Sequence, residues 1–443
     1  MRAGLWGHSK GFASMRYISL AAALAAVGVL HAGAAQADQA NLNLRGAGDQ
    51  EIQDVRGQSV ANRPRPGYDA LGVRAGAFLL YPSITIVETY DDNIYAVNAG
   101  KTDDFITRVS PDVRLTSNWS RHMLSLQGGL DYYKYADNGD EDRTDWNVGA
   151  MGRVDILRDT NITGKVSYAR LHEDRGDSTF IGGGAEPTQY DIFDTAITFN
   201  HRVNRLIFAL GGGYTELDYK DTPAVGGGVI NQDFRDRHVY SGVARAGYAI
   251  SPDTNIYLQG RVNKREYRLQ PPVVVQTRDS DGYSLVVGSE FLISRLVQGT
   301  VEIGYQRQNY KAAGLPTVSG LSYLAGVDWY VTPLTTVRFS ASSSIDESDS
   351  LLSSGSLNQT VGLGFDHEFL RNLILSGDVS YQNNNFKGVA RKDEYLRAGL
   401  GVTYMLNRYL ALGVDYKYTE RDSNVLGLDY KRNVVGLTLR GQL

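Results

Sequence analysis

Aspartate and asparagine crowd two neighbouring stretches, Asp91-Asp92-Asn93 and Asp103-Asp104, and oxygen ligands at that density suit Ca²⁺. Their spacing is not that of an EF-hand loop, and Asp and Asn are equally at home in a solvated hairpin tip. Five histidines follow, His122, His172, His201, His238 and His367. A hydrolase would need one of them beside a serine and an orienting acid. No Gly-x-Ser-x-Gly occurs, and no segment pairs serine and histidine with an acidic residue. Glycine triplets at 182–184 and 226–228 lack the strand–loop–helix setting and the following Gly-Lys-Ser/Thr of a phosphate cradle, so they read as loop tips. With no cysteine, a thiolate metal site and a disulfide framework are excluded. These residues predict neither an enzyme nor a cofactor.

The remaining candidates are charges set among alternating polar residues. Tyr257, Gln259, Arg261, Asn263 and Arg265 alternate with Ile256, Leu258, Gly260 and Val262. Gln298, Thr300, Glu302, Gln306 and Gln308 form a second polar row, and Arg338, Ser340, Ser342 and Ser344 a third. Lys165, Arg261, Arg265 and Arg338 are matched by Glu302, Asp378 and Asp415, a mixed-sign set that favours a hydrated passage over a strongly ion-selective filter. Tyr257 and Tyr133 could stack on sugar rings or could simply fill volume.

The elements that position these rows repeat along the chain. Leu373, Leu375, Gly377, Val379 and Tyr381 are apolar at every second position and end in tyrosine. Leu124 to Tyr132, Ile162 to Tyr168, Leu206 to Tyr214, Val297 to Tyr305 and Leu410 to Tyr416 do the same. Eight residues at ~3.3 Å each, tilted near 40°, rise roughly 20 Å, close to the ~25 Å apolar band of an outer-membrane barrel. The tyrosine then stands at headgroup depth, ring in lipid and hydroxyl in water. A soluble sandwich would bury the apolar face instead; the persistence of one polarity with tyrosine at one depth selects the membrane.

Short turn signals recur near 117–122, 157–161, 201–205, 251–255, 293–297, 331–335, 369–372 and 406–409, with longer polar segments between them. Eight short turns and nine long loops predict eighteen strands, an even number as single-chain bacterial barrels have. The expected architecture is an all-β, antiparallel up-and-down transmembrane barrel over 77–443. Residues 1–37 read as a secretory signal peptide, with Arg2, Lys10 and Arg16 before an apolar run that ends in Ala35-Gln36-Ala37. Residues 38–76 read as a flexible periplasmic arm. "NVVGLTLRGQL" alternates as a last strand recognised by the barrel-assembly machinery should, although it ends in Leu443 where many such strands end in phenylalanine. A formal net charge of −4 leaves no basic excess for nucleic acid.

The segments 81–97 and 103–146 resemble the outer-membrane β-barrel porins of the beta-barrel porin 2 type, often associated with exopolysaccharide gene clusters. Tyr90-Asp91-Asp92-Asn93, the Val-Ser-Pro strand and the Ser-Asn-Trp-Ser turn carry the likeness. The resemblance implies a barrel in the Gram-negative outer membrane, in contact with its lipid and lipopolysaccharide. It also implies a conduit for polysaccharide, and it brings no catalytic residues; a polymer entering the barrel would need a periplasmic partner to deliver it, because the arm at 38–76 is too short to form a docking domain. A general diffusion porin and a surface adhesion barrel are the alternatives.

Overall fold

The computed structural model describes residues 58–178, 182–271, 273–348 and 353–443. The expected signal peptide and residues 38–57 of the expected arm lie outside the described residues.

Alternation dictates strands, and strands are what form. Among the described residues eighteen make the barrel wall. In chain order these are β1 (Phe78–Asp91), β2 (Asp104–Ser117), β3 (Met123–Tyr135), β4 (Arg143–Leu157), β5 (Thr160–His172) and β6 (Gln189–Val203). Next come β7 (Leu206–Tyr219), β8 (Arg237–Ser251), β9 (Thr254–Tyr267), β10 (Ser280–Ile293), β11 (Val297–Tyr310) and β12 (Val318–Thr332). The last six are β13 (Thr335–Glu347), β14 (Gly355–Leu370), β15 (Leu373–Lys387), β16 (Lys392–Met405), β17 (Leu410–Ser423) and β18 (Tyr430–Gln442). Each pairs antiparallel with the next, and β18 returns to β1 from Ser83↔Gln442 to Asp91↔Val434, closing the cylinder. Closure gives every strand of the wall a neighbour on both sides, as a barrel in lipid requires.

The eight short turns fall where the sequence places them, several as tight connections such as Asn204-Arg205, with Asn204 in the left-handed conformation at φ 53°. The apolar rows point outward. Leu206, Phe208 and Leu210 are exposed, as are Val301, Ile303 and Tyr305, and Leu410, Leu412, Val414 and Tyr416. In water so much exposed apolar surface would be untenable; in lipid it is the solvent-matched face. Buried apolar residues form small clusters near the long-loop end, such as Tyr190, Leu217, Tyr219 and Val239. Replacing Leu258 by arginine is expected to lower stability by ~2–4 kcal/mol if that position sits at the bilayer midplane, read from urea unfolding in lipid vesicles. An unchanged midpoint would place 258 away from lipid.

One ladder is incomplete. β12 and β13 pair from Thr332↔Thr335 up to Leu324↔Ser342 and no further, although β12 begins at Val318 and β13 runs on to Glu347. The outer end of β13 parts from β12 and turns inward, still paired with β14 up to Glu347↔Gly355, while β14 stays paired with β15 up to Gly355↔Lys387.

At the short-turn end, residues 58–76 cross the mouth. Val60 N donates to Thr336 Oγ1 at 3.0 Å, and Arg63 and Arg65 reach one oxygen of Glu368 at 3.2 and 3.1 Å. Gln442 Nε2 donates to the Tyr68 carbonyl, and Val73–Ala75 pairs with Phe78–Leu80 of β1. Val60, Arg63 and Arg65 are buried. This end of the arm is therefore tied down by two guanidiniums on a buried carboxylate.

Candidate functional site

The site of interest is the barrel interior, and its inward-pointing side chains are of two kinds. On β8 to β11 they are locked to one another. Tyr257 is 4% exposed; its hydroxyl donates to Glu302 Oε1 at 2.8 Å, and the Arg245 guanidinium covers its ring 3.8 Å from the centroid. Glu302 also accepts from Arg261 at 2.7 Å, and Gln259 accepts from Arg245 Nε at 2.7 Å. Arg265 is buried against Glu347 on β13, which also accepts from Tyr267 Oη at 2.7 Å. Elsewhere Lys165 pairs with Asp194 at 2.9 Å, and Arg338 pairs with Asp366. Sugar stacking on Tyr257 is thus blocked on one face by Arg245, and Tyr133 likewise lies under Arg143 at 4.3 Å.

The other arc, from β15 through β18 and β1 to β3, behaves differently. Asp378, Lys417, Arg440, Asp112, Arg114 and Gln127 all point inward and are exposed, so they face open lumen. Asp415 shares this arc, 3.8 Å from Lys417. Of the charged lumen candidates singled out from the sequence, Asp378 and Asp415 lie here. Arg114, Arg440, Lys417, Asp112 and Gln127 were passed over, although strand alternation alone assigns them to the inner face.

Alternation also predicts that cysteines at 261 and 265 react with a membrane-impermeant thiol reagent and those at 258 and 262 do not. Burial refines this. Cysteines at 114, 127, 417 and 440 are expected to react at least ~10-fold faster than those at 259 or 265, since the latter wait for local opening. Equal rates along both arcs would contradict the packed half.

A long loop spans the gap between the two ends of this arc. The connection after β5 starts at Glu173, which holds the Arg235 guanidinium. Asp174 accepts from Arg432 of β18 at 3.2 Å, and the Gly176 carbonyl accepts from Tyr395 of β16 and Tyr430 of β18 at 3.4 and 3.3 Å. Ser178 accepts at its carbonyl from Arg391 at 2.9 Å and at Oγ from Asn384 of β15 at 3.3 Å. From β5 to β15 is eight strands around a wall of eighteen, so the loop crosses the lumen. A Cβ on Gly176 would meet Tyr430 Oη at 2.5 Å, which is why glycine stands there. Burial, with Asp174 and Glu173 alongside, pushes the Asp177 carboxyl well above the ordinary carboxylate range, against the pull of Arg397.

Tyr90-Asp91-Asp92-Asn93 sits where the barrel closes. Asp91 accepts from Arg432 Nε at 2.8 Å, Asp92 accepts from Asn433 N and Nδ2, and Asn93 Nδ2 donates to the Lys431 carbonyl at 3.0 Å. Each side chain extends the β1–β18 pairing past its last backbone pair. Asp104 accepts from the backbone of Ala136, Asp137 and Asn138, and Tyr90 Oη donates to Asp103 outside the wall. The acidic motif fastens the seam.

The sequence model of a family described as "Putative beta-barrel porin 2" matches residues 65–443. No curated protein matches the chain. Among solved structures, the chain is similar to Pseudomonas aeruginosa OpdO at 13% identity, TM-score 0.44, covering 83% of this chain and 97% of that one. Pseudomonas aeruginosa OccK2 (OpdF) stands at 11% identity and TM-score 0.43, with 83% and 97% covered. Acinetobacter baumannii OccAB3 stands at 11% and 0.45, with 83% and 99% covered.

Proposed function

Because the chain belongs to the beta-barrel porin 2 family and is an integral outer-membrane β-barrel protein, we propose that it passes small hydrophilic solutes by diffusion along one side of its lumen. The observation that carries this reading is the loop 173–178. Docked between β5 and the long-loop ends of β15–β18, it crosses the lumen there, and among the described residues only the arc from β15 to β3 presents exposed inward charges and amides. Arg114, Lys417 and Arg440 against Asp112, Asp378 and Asp415 give a near-balanced strip, which suits neutral or weakly charged solutes. Diffusion needs no periplasmic delivery partner.

The polysaccharide conduit suggested by the family resemblance asks for a continuous wide bore, and a docked loop across the lumen counts against it. Liposome swelling with sugars of increasing length discriminates. Mono- and disaccharides are expected to swell liposomes at least ~10-fold faster than oligosaccharides of five or more units, since an eccentric passage beside a fixed loop sieves by size. No swelling with any small sugar, together with loss of surface polysaccharide in a deletion strain, would overturn diffusion in favour of export.

A further inference from the structure

The short connections carry a charge that turn geometry does not require. Arginine stands in six of the eight: Arg121 between β2 and β3, Arg158 between β4 and β5, Arg205 between β6 and β7, Arg295 between β10 and β11, Arg371 between β14 and β15, and Arg408 between β16 and β17. Against them the eight connections hold two carboxylates, Asp159 and Asp253, and no lysine, a formal +4 in a chain whose net charge is −4. Ser294 and Arg295 both have positive φ, 53° and 55°, a conformation that favours asparagine or glycine, yet arginine is there. The protein itself neutralises these guanidiniums little. Arg371 shares Glu368 with Arg63 and Arg65, three cations on one carboxylate. Arg121 donates to the Asp155 carbonyl at 2.9 Å and Arg205 to Tyr248 Oη at 3.5 Å, both neutral acceptors. Arg158, Arg295 and Arg408 have no ion pair among the described residues, and the first two are exposed.

Exposed aromatic side chains stand beside them. Trp119 lies two residues before Arg121, its ring edge-to-face with Phe78 at 5.6 Å, and Phe369 lies two before Arg371. Tyr409 follows Arg408, and Tyr248, which accepts from Arg205, belongs to the lipid-facing row of β8 opposite Leu206. Aromatic rings of this kind settle at the membrane–water boundary, which puts the arginines at headgroup depth. Short turns are the periplasmic ends of such barrels, so the depth is that of the inner, phospholipid leaflet.

We propose that the periplasmic rim is a binding surface for the headgroup phosphates of inner-leaflet phospholipid, with Arg158, Arg205, Arg295 and Arg408 as its principal contacts. The guanidinium fork matches phosphate oxygens in both geometry and charge. Distribution selects lipid as the occupant. The four arginines run from the β4–β5 connection through β6–β7 and β10–β11 to β16–β17, spread around the wall as an annulus of lipid is. A docked protein would meet one side of it. The surface lies outside the lumen and stands whether or not a solute passes.

The full-length protein is refolded into vesicles of mixed phosphatidylcholine and phosphatidylglycerol, and brominated forms of each lipid quench its tryptophans, of which Trp119 and Trp329 are exposed at this end. The parent protein is expected to prefer phosphatidylglycerol about three-fold. Combining Arg158→Gln, Arg205→Gln, Arg295→Gln and Arg408→Gln should bring the two lipids to parity while the folded, heat-modifiable band persists. Lys264→Gln with Arg307→Gln removes two exposed cations at the opposite end and should leave the preference in place. In the parent, salt at about 0.5 M should erase the preference with no substitution at all, a second reading that does not depend on the quadruple variant folding. Equal quenching of the parent by both lipids overturns the proposal, as does a folded quadruple variant with the parent's preference, or loss of preference in the Lys264 and Arg307 variant instead. Inorganic phosphate abolishing the preference where sodium chloride at the same ionic strength does not would also overturn it, since the ring would then hold a soluble anion.

Discussion

Replacing Arg432 with alanine is expected to destabilise the barrel by ~3–5 kcal/mol, the range for removing one partner of a buried ion pair. Arg432 lies on the last strand and holds Asp91 of the first through Nε and Nη2 while holding Asp174 of the crossing loop through Nη1. Asp91 is 1% exposed, so truncation strands a carboxylate away from water. Urea unfolding in vesicles should shift to a lower midpoint, and the folded, heat-modifiable band should weaken. The control is Arg432→Met with Asp91→Asn, which removes both charges and should recover a large part of the loss. If Arg432→Ala unfolds like the parent protein, the seam is held by its backbone ladder alone.

Gly176→Val is expected to leave folding intact and to open the passage. The added side chain cannot share space with Tyr430 Oη, so the loop must lift from Tyr395 and Tyr430. Two hydrogen bonds at ~1 kcal/mol each correspond to an undocked fraction raised roughly 30-fold. Planar-bilayer records should show longer openings and a higher mean conductance, and liposomes should admit longer oligosaccharides. Removing the tyrosine hydroxyls by Tyr395→Phe with Tyr430→Phe should act in the same direction without steric change. A parent-like conductance in both variants would mean that this loop does not bound the path.

The strand count and the turns were legible because each rests on neighbours in sequence. Val379 and Tyr381 announce a lipid face through their spacing, and the short turns announce themselves by composition. The acidic motif was visible and its purpose was not. Asp91 and Arg432 stand 341 positions apart, and nothing local says that first and last strands meet there. Calcium and hairpin-tip readings were therefore both reasonable for residues that in fact latch a seam.

Period-two alternation assigns every strand residue to one of two faces and, with the turn and loop signals that set the strand number, it determined the barrel and its lipid-facing rows. It cannot grade the inner face. Arg265 and Arg440 read alike as inward arginines, yet Arg265 is sealed against Glu347 and Arg440 stands in open lumen. That difference is set by what folds into the cylinder, namely the loop after β5 and the outer end of β13. Their resting places depend on contacts eight strands apart, such as Ser178 on Asn384, and on a ladder that stops at Leu324↔Ser342. Facing direction is a local property of the backbone, whereas exposure inside a closed barrel is a property of the whole cross-section.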